Sequence, residues 1–365
     1  MLESLITVRT AQELGQELNK LELLVENDSD TVLELIGDQL TAWESIVRLH
    51  ADYSLALRIG KLLEKLRQHW LALSWFHWVS QADGEAEPEL VLTALRMKGR
   101  MYIKVGMYNE ALSFLLSVEK QWQNSTQKLG RDLAILWQNI ALVYEYLGEY
   151  DSAVEYAGRA LQWFAAYGEE HDVALMEMLL GICYKEQKRF DEAYEHLTRA
   201  RGGFEKHKDY LHLARTWHNY AELMRDLGRM EEAIAAWRMS LEMKKRIHDF
   251  SGQATTLHSI AKYLISENDW YAAMNYITQA IAICHQYRLQ DKEVICLEAW
   301  AQILFALGRY DELEVCASRA TFLAGSDDTQ HKVVSLLQKI ANDCERVGLE
   351  ELAKQYSQNA VQLIG

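Results

Sequence analysis

From residue 60 to the end of the chain, a triplet of small residues returns on a fixed step. Ala141, Ala153 and Ala160 lie twelve and seven residues apart, and the same places are filled by Gly181, Ala193 and Ala200, by Ala221, Ala233 and Ser240, and by Ala261, Ala273 and Ala280. The series runs on through Ala301, Leu313, Ala320 and Ala341, Ala353, Ala360, and back through Gly99, Ala111, Val118 to Gly60, Ala72, Val79. First members are separated by 39, 42, 40, 40, 40, 40 and 40 residues. A period of this size makes each repeat one supersecondary element that cannot bury its apolar face alone, so neighbours must stack into an array.

Inside a repeat the apolar positions recur at three and four: Trp137, Ile140, Ala141, Tyr144 and Leu147, then Tyr150, Ala153, Val154, Ala157, Ala160 and Leu161. That is the spacing of two amphipathic helices. Gly106, Gly148, Gly228, Gly308 and Gly348 stand at the break between them, where a left-handed residue ends the first helix. The break is short, so the two helices must run antiparallel. Where they cross, and where the next pair packs on, the backbones approach closely and only small side chains fit. Large residues follow the break, as in Tyr108, Tyr150, Phe190, Met230, Trp270 and Tyr310, and plug the end of the hairpin. With one proline in 365 residues and little Val-Ile-Thr alternation, the fold class is all-α.

Trp137, Ile140, Ala141, Tyr144, Leu147, Gly148, Tyr150, Ala153 and Ala160 together resemble the tetratricopeptide repeat, whose motif runs W-x-x-L-G-x-x-Y and then L-G-x-Y-x-x-A. Trp217, Tyr220, Ala221, Leu227, Gly228 and Ala233 repeat most of it. The resemblance covers residues 51–365 as about eight helix-turn-helix repeats. It implies a right-handed superhelix, an α-solenoid whose first helices line a concave groove. Two features depart from the family pattern: the period is near 40 rather than 34, and no proline closes the repeat. Longer repeats of this kind are similar to those of bacterial peptide-pheromone receptors and spindle-orientation adaptors. Residues 1–50, with ten acids against Arg9, Lys20 and Arg48, form a degenerate helical hairpin or cap. There Thr10–Glu13 and Thr41–Glu44 each have the S/T-x-x-E form of a capping box.

A formal charge of −15 argues against direct binding to nucleic acid or to an anionic membrane. The apolar runs are too short to span a bilayer, and the five cysteines, none in a C-x-x-C pair, read as buried hydrophobes of a reducing, cytoplasmic protein. Nucleotide-binding, zinc-protease and nucleophile-elbow motifs are missing, so neither an enzyme nor a cofactor is expected. His218 and His258 sit one repeat apart without the further ligands a metal requires, and no metal is expected.

What the first helices display is more informative. Arg96, Arg100 and Lys104, spaced by four, form one stripe, and Lys61 and Lys65 add to it from the preceding repeat. Like charges at that spacing repel, so an acidic partner must offset them, unless acids of neighbouring repeats or of residues 1–50 do so. Gln138, Asn139, Leu142 and Glu145, then Arg215, His218, Asn219, Glu222 and Arg225, then His258 and Lys262 continue the inward face that the resemblance implies. In pheromone receptors, asparagines placed like Asn139 and Asn219 hold the peptide backbone; a helix-helix hydrogen bond is the other reading. The expected function is a non-enzymatic interaction scaffold that binds a protein or peptide, with an acidic segment, in its groove. A peptide-sensing receptor that controls a transcription factor or response regulator is the alternative, and an interaction subunit of a protease or nuclease complex a third. A homo-oligomer is left open.

Overall fold

The computed structural model describes residues 10–25, 29–37, 39–82, 84–123, 130–325 and 327–363, and every regular element among them is helical. The chain divides into two compact units, Met1–Gln187 and Lys188–Gly365.

The N-terminal unit opens with α1 (Ala11–Leu24), α2 (Ser29–Gly37) and α3 (Leu40–Leu49). Three hairpins follow: α4 (Tyr53–Lys65) with α5 (His69–Ser80), α6 (Pro88–Lys104) with α7 (Tyr108–Gln123), and α8 (Gly130–Leu147) with α9 (Tyr150–Tyr167). Helix α10 (Glu170–Glu186) packs on α9 and closes the unit. The C-terminal unit starts with α11 (Phe190–His207) and continues as α12 (Tyr210–Asp226) with α13 (Met230–Arg246), then α14 (Phe250–Ser266) with α15 (Trp270–Gln286). Next come α16 (Gln290–Ala306) with α17 (Leu313–Phe322), and α18 (Asp327–Arg346) with α19 (Glu350–Gln362). First helices of consecutive hairpins touch, α4 with α6, α6 with α8, and α14 with α16.

The small-residue columns are the contact points. Ala141, Ala153, Ala160, Ala193, Ala200, Ala221, Ala233, Ala261, Ala273 and Ala280 are fully buried. Gly60 shows why size matters there: a Cβ built on it would lie 2.6 Å from a ring carbon of Phe76, and on Gly99 2.3 Å from a methyl of Leu115. Ser240 keeps its column by donating its hydroxyl to the Ala214 carbonyl at 2.8 Å. In the one repeat where the second column holds a leucine, a 3-10 turn at Tyr310–Glu312 precedes α17, and Leu313 is fully buried.

The turns keep the period as well. Gly106, Gly148, Gly228, Gly308 and Gly348 have φ between 68° and 81°, the left-handed region expected of them. Arg67, Lys188 and Asn268 take the same conformation in the repeats without glycine, at φ 59°, 61° and 60°. Tyr108, Tyr150, Phe190, Met230, Trp270 and Tyr310 are half-buried beside these turns.

At the N-terminus, Thr10 and Glu13 form the expected reciprocal capping box. Thr41 and Glu44 do not. Helix α3 begins two residues earlier, with Gln39 at its N-cap, so Thr41 is already inside it and Glu44 pairs instead with Arg48 at 2.8 Å. The early start buries Trp43 and Val47, and the Trp43 indole donates to the Gln39 side chain at 3.3 Å. Where a two-helix hairpin or cap was expected over residues 1–50, three helices, α1, α2 and α3, stand among the described residues.

Gly60→Ala is expected to lower stability by about 1–3 kcal/mol, because the Phe76 ring cannot yield without moving the α4–α5 contact. Gly202→Ala, in α11 with open space around the new methyl, is expected to raise it by about 0.5–1 kcal/mol. Urea unfolding midpoints of the two variants against the parent chain check both signs.

Candidate functional site

In the N-terminal unit, α4, the turn after it, the start of α5 and the facing side of α6 enclose an open recess of about 800 Å³. Lys61, Glu64, Lys65, Arg67, His69, Met97, Arg100 and Lys104 line it. Lys61 and Lys65 share one face of α4, and Arg100 and Lys104 share one face of α6, each pair a helical turn apart. The contact of α4 with α6 sets the two faces side by side.

Among the described residues that line it, one is a carboxylate. Glu64 meets the Arg100 guanidinium at 3.0 Å and offsets part of the charge. His69, the first residue of α5, has its ring Nδ1 buried without a hydrogen-bond partner. Burial, and after it the charge of Lys104, hold the His69 imidazole below its ordinary pKa of 6.5. The α5 N-terminus adds backbone N–H groups that no side chain caps, since Gln68 makes no capping bond. Cations, open N–H groups and a neutral imidazole that gains by protonation all favour a negative group in this recess.

Arg96, on the same stripe, is engaged elsewhere. Its guanidinium reaches Asp132 on α8 at 3.0 Å and is half-buried there, and burial lowers its pKa from the usual arginine value. The stripe therefore splits, with its N-terminal arginine tying α6 to α8 and its C-terminal half facing the recess. None of the described residues among 10–49 lines the recess; Glu22 of α1 is spent on Arg58 of α4 at 3.0 Å.

On α8, Asn139 is buried and Gln138, Leu142 and Glu145 are half-buried. The candidates on α12 make local pairs. Asn219 donates to the Arg215 carbonyl of its own helix at 3.0 Å, neither to a peptide nor to a neighbouring helix in that bond. His218 faces Glu222 at 3.4 Å, and Arg225 holds Asp226 at 2.7 Å. On α14, Lys262 is exposed, and His258 lines a smaller recess of about 100 Å³ with Ala254, Thr255, Lys292, Ile295 and Cys296. Burial, then Lys262, depresses the His258 pKa.

Sequence reading confined to first helices missed Arg67 and His69. The available signal was Arg67 at a position where five other repeats carry glycine, which marks a turn whose side chain is displayed.

The sequence profile of the tetratricopeptide repeat matches residues 132–206 and 212–286. These two stretches hold α8–α11 and α12–α15, with buried small columns and left-handed turns at the motif's places. Residues 132–206 and 212–286 are tetratricopeptide repeats. Protein KINESIN LIGHT CHAIN-RELATED 1 of Arabidopsis thaliana is 24% identical over 242 residues, 64% of this chain and 39% of that protein. Transcriptional activator NprA of Geobacillus stearothermophilus is 30% identical over 174 residues, 47% of this chain and 42% of that protein. The chain thus spans about two fifths of the length of those curated relatives. Among solved structures, the apo form of the quorum sensor NprR from B. thuringiensis superposes with a TM-score of 0.61 at 16% identity, over 97% of this chain and 99% of that one. At that identity the likeness is one of fold.

Lys104→Gln is expected to raise the His69 pKa toward its ordinary value, because the substitution removes a charge that opposes protonation of the ring. The His69 ring shifts, followed by NMR through a pH titration of both proteins, measure the change.

Proposed function

We propose that this tetratricopeptide-repeat chain is a non-enzymatic, cytoplasmic interaction module. It binds an acidic segment of a peptide or protein partner, and the recess of Lys61, Lys65, Arg67, His69, Arg100 and Lys104 is the site. The observation that carries the reading is the gathering of these groups around one carboxylate, in a chain whose formal charge is −15. The cations of the recess are exposed and repel one another modestly, and a negative group entering the recess relieves that repulsion. The guanidinium and ammonium groups supply charge-assisted hydrogen bonds to carboxylates, with Met97 as the apolar floor against which a side chain rests.

A second reading makes the partner a signalling peptide and the chain a regulator of gene expression. It is supported by the 30% identity with the transcriptional activator NprA and by the likeness of fold to the quorum sensor NprR. Both readings place a peptide on a tetratricopeptide array, and they differ in what the bound array then controls.

The test is fluorescence-anisotropy binding of a labelled acidic peptide to the intact chain. Lys61→Ala with Lys104→Ala is expected to weaken binding about tenfold to a hundredfold, since each charge-assisted bond is worth about 1.5–3 kcal/mol before solvent screening. The same pair should flatten the dependence of affinity on salt. An acidic ligand raises the His69 pKa in the complex, so the complex holds more protons and affinity climbs as pH falls through the histidine range. Binding that ignores the double substitution, salt and pH alike removes the recess as the site.

A further inference from the structure

We propose that the negative group taken by the cationic recess of α4, α5 and α6 is a phosphate: the partner segment carries a phosphorylated serine or threonine, held at the N-terminus of α5 by Arg67, Arg100 and Lys104. This rests on the recess being the binding site and adds the chemistry of the group that enters it.

The repeats supply an internal comparison. Second helices after α5 all start with an acid. Glu110 stands in the first turn of α7, Asp151 in that of α9, Asp191 and Glu192 in α11, and Glu231 and Glu232 in α13. Asp269 is the N-cap of α15, Asp311 and Glu312 lie just ahead of α17, and Glu350 and Glu351 open α19. A carboxylate there offsets the partial positive charge of a helix start. In three repeats it also pairs with the cation of the turn, Arg189 with Glu192, Arg229 with Glu232 and Arg309 with Glu312. Helix α5 has Gln68, His69, Trp70 and Leu71 at these places, and its first turn holds no acid. Its helical ladder begins with the Ala72 N–H, which donates to the Gln68 carbonyl at 2.9 Å, so the N–H groups of His69, Trp70 and Leu71 lie ahead of the ladder.

The charge balance selects the kind of anion. Lys61, Lys65, Arg67, Arg100 and Lys104 stand around the single carboxylate of Glu64, five fixed cations to one anion. A partner's glutamate would restore at α5 what the other repeats provide for themselves, one carboxylate against one arginine. A phosphomonoester brings a charge of about −1.5 to −2 and three acceptor oxygens. Its tetrahedral form meets donors on several sides at once, from the turn, from α6 and from the α5 N–H groups, where a planar carboxylate offers two oxygens. The His69 Nδ1, buried without a hydrogen-bond partner, donates to a further oxygen when it carries the proton. A nucleic acid would set a whole row of phosphates against a chain of formal charge −15, whereas one phosphate on a peptide answers this local patch.

The experiment is fluorescence anisotropy of the intact chain with three labelled acidic peptides, identical except for one central residue that is phosphoserine, glutamate or serine. The phosphoserine peptide is expected to bind at least about tenfold more tightly than the glutamate peptide. Its phosphate, followed by phosphorus NMR, should titrate at lower pH in the complex than free, because the surrounding cations favour the dianion. Leu71→Glu supplies the acid that Glu192 and Glu232 supply in their repeats. Leu71 is exposed, so this variant should keep or raise the thermal midpoint while weakening the phosphoserine peptide about tenfold. Arg67→Gly installs the residue found at the same left-handed turn in five other repeats, and should erase most of the preference for phosphoserine over glutamate.

Equal affinity for phosphoserine and glutamate, with both weakened by Lys61→Ala and Lys104→Ala together, overturns the phosphate and leaves the recess as the site of an acidic segment. Failure of all three peptides to bind removes the recess as the site, and the phosphate with it. Inorganic phosphate or a single-stranded oligonucleotide that binds as tightly as the phosphoserine peptide overturns the assignment to a phosphorylated protein segment.

Discussion

The close approach of helix backbones at the small-residue columns is the constraint on which the rest depends. A single methyl at Gly60 would overlap the Phe76 ring, and the fully buried alanines from Ala141 to Ala280 show the same tolerance of almost nothing beyond Cβ. Because the interior is packed to crystal-like density, these columns fix the register of each helix against the next. Every side chain four residues along inherits its direction from that register. Gly60 seats α4 on Phe76 of α5 and Gly99 seats α6 on Leu115 of α7, and the recess lies where α4 and α6 touch with their Lys and Arg faces side by side.

The charges divide into two kinds. Some serve the stack: Arg96 with Asp132 ties α6 to α8, Arg58 with Glu22 ties α4 to α1, and Arg319 grips the buried Glu293 with two bonds of 2.6 and 3.0 Å. Buried Glu119 likewise accepts from the Trp137 indole and the Tyr156 hydroxyl, holding the repeat's signature tryptophan. Removing one partner from such a pair leaves a desolvated charge behind, so these residues resist change. Others, at the recess, are gathered with a single carboxylate among them and face solvent. In an acidic chain the second kind creates a local reversal of potential, on which the proposed site for a negative segment rests.

Much of this was legible in the sequence because the physics leaves little choice of residue. A crossing that admits only glycine, alanine or serine writes itself into the chain every 40 residues, and a left-handed turn writes glycine. The stripe of Arg96, Arg100 and Lys104, with Lys61 and Lys65 added from the preceding repeat, followed from the four-residue spacing and from the inward face that the resemblance implies. Arg67, Lys188 and Asn268 were harder, since a polar residue can occupy the left-handed region at a modest penalty and then carries no mark of its conformation. The Arg96–Asp132 pairing spans 36 residues and depends on rotamers across two helices, which periodicity does not encode. Thr41 and Glu44 misled for a related reason: the motif describes a cap, but the burial of Trp43 decided where α3 begins.

One pair of facing places shows how such an array acquires chemistry without altering its frame. Phe204 with Thr216, Lys244 with Thr256, and Cys284 with Cys296 occupy the same two columns in three successive repeats. The first pair fills space, and the second buries a lysine whose pKa falls to about 8 while its ammonium is bonded to a hydroxyl. The third holds two buried thiols. Backbone geometry at these columns is set by the alanines a few residues away, so the pair itself is released to vary. The same separation of frame from content explains how one repeat can carry a cationic recess and another a thiol pair, with the helices in both cases packed by identical rules.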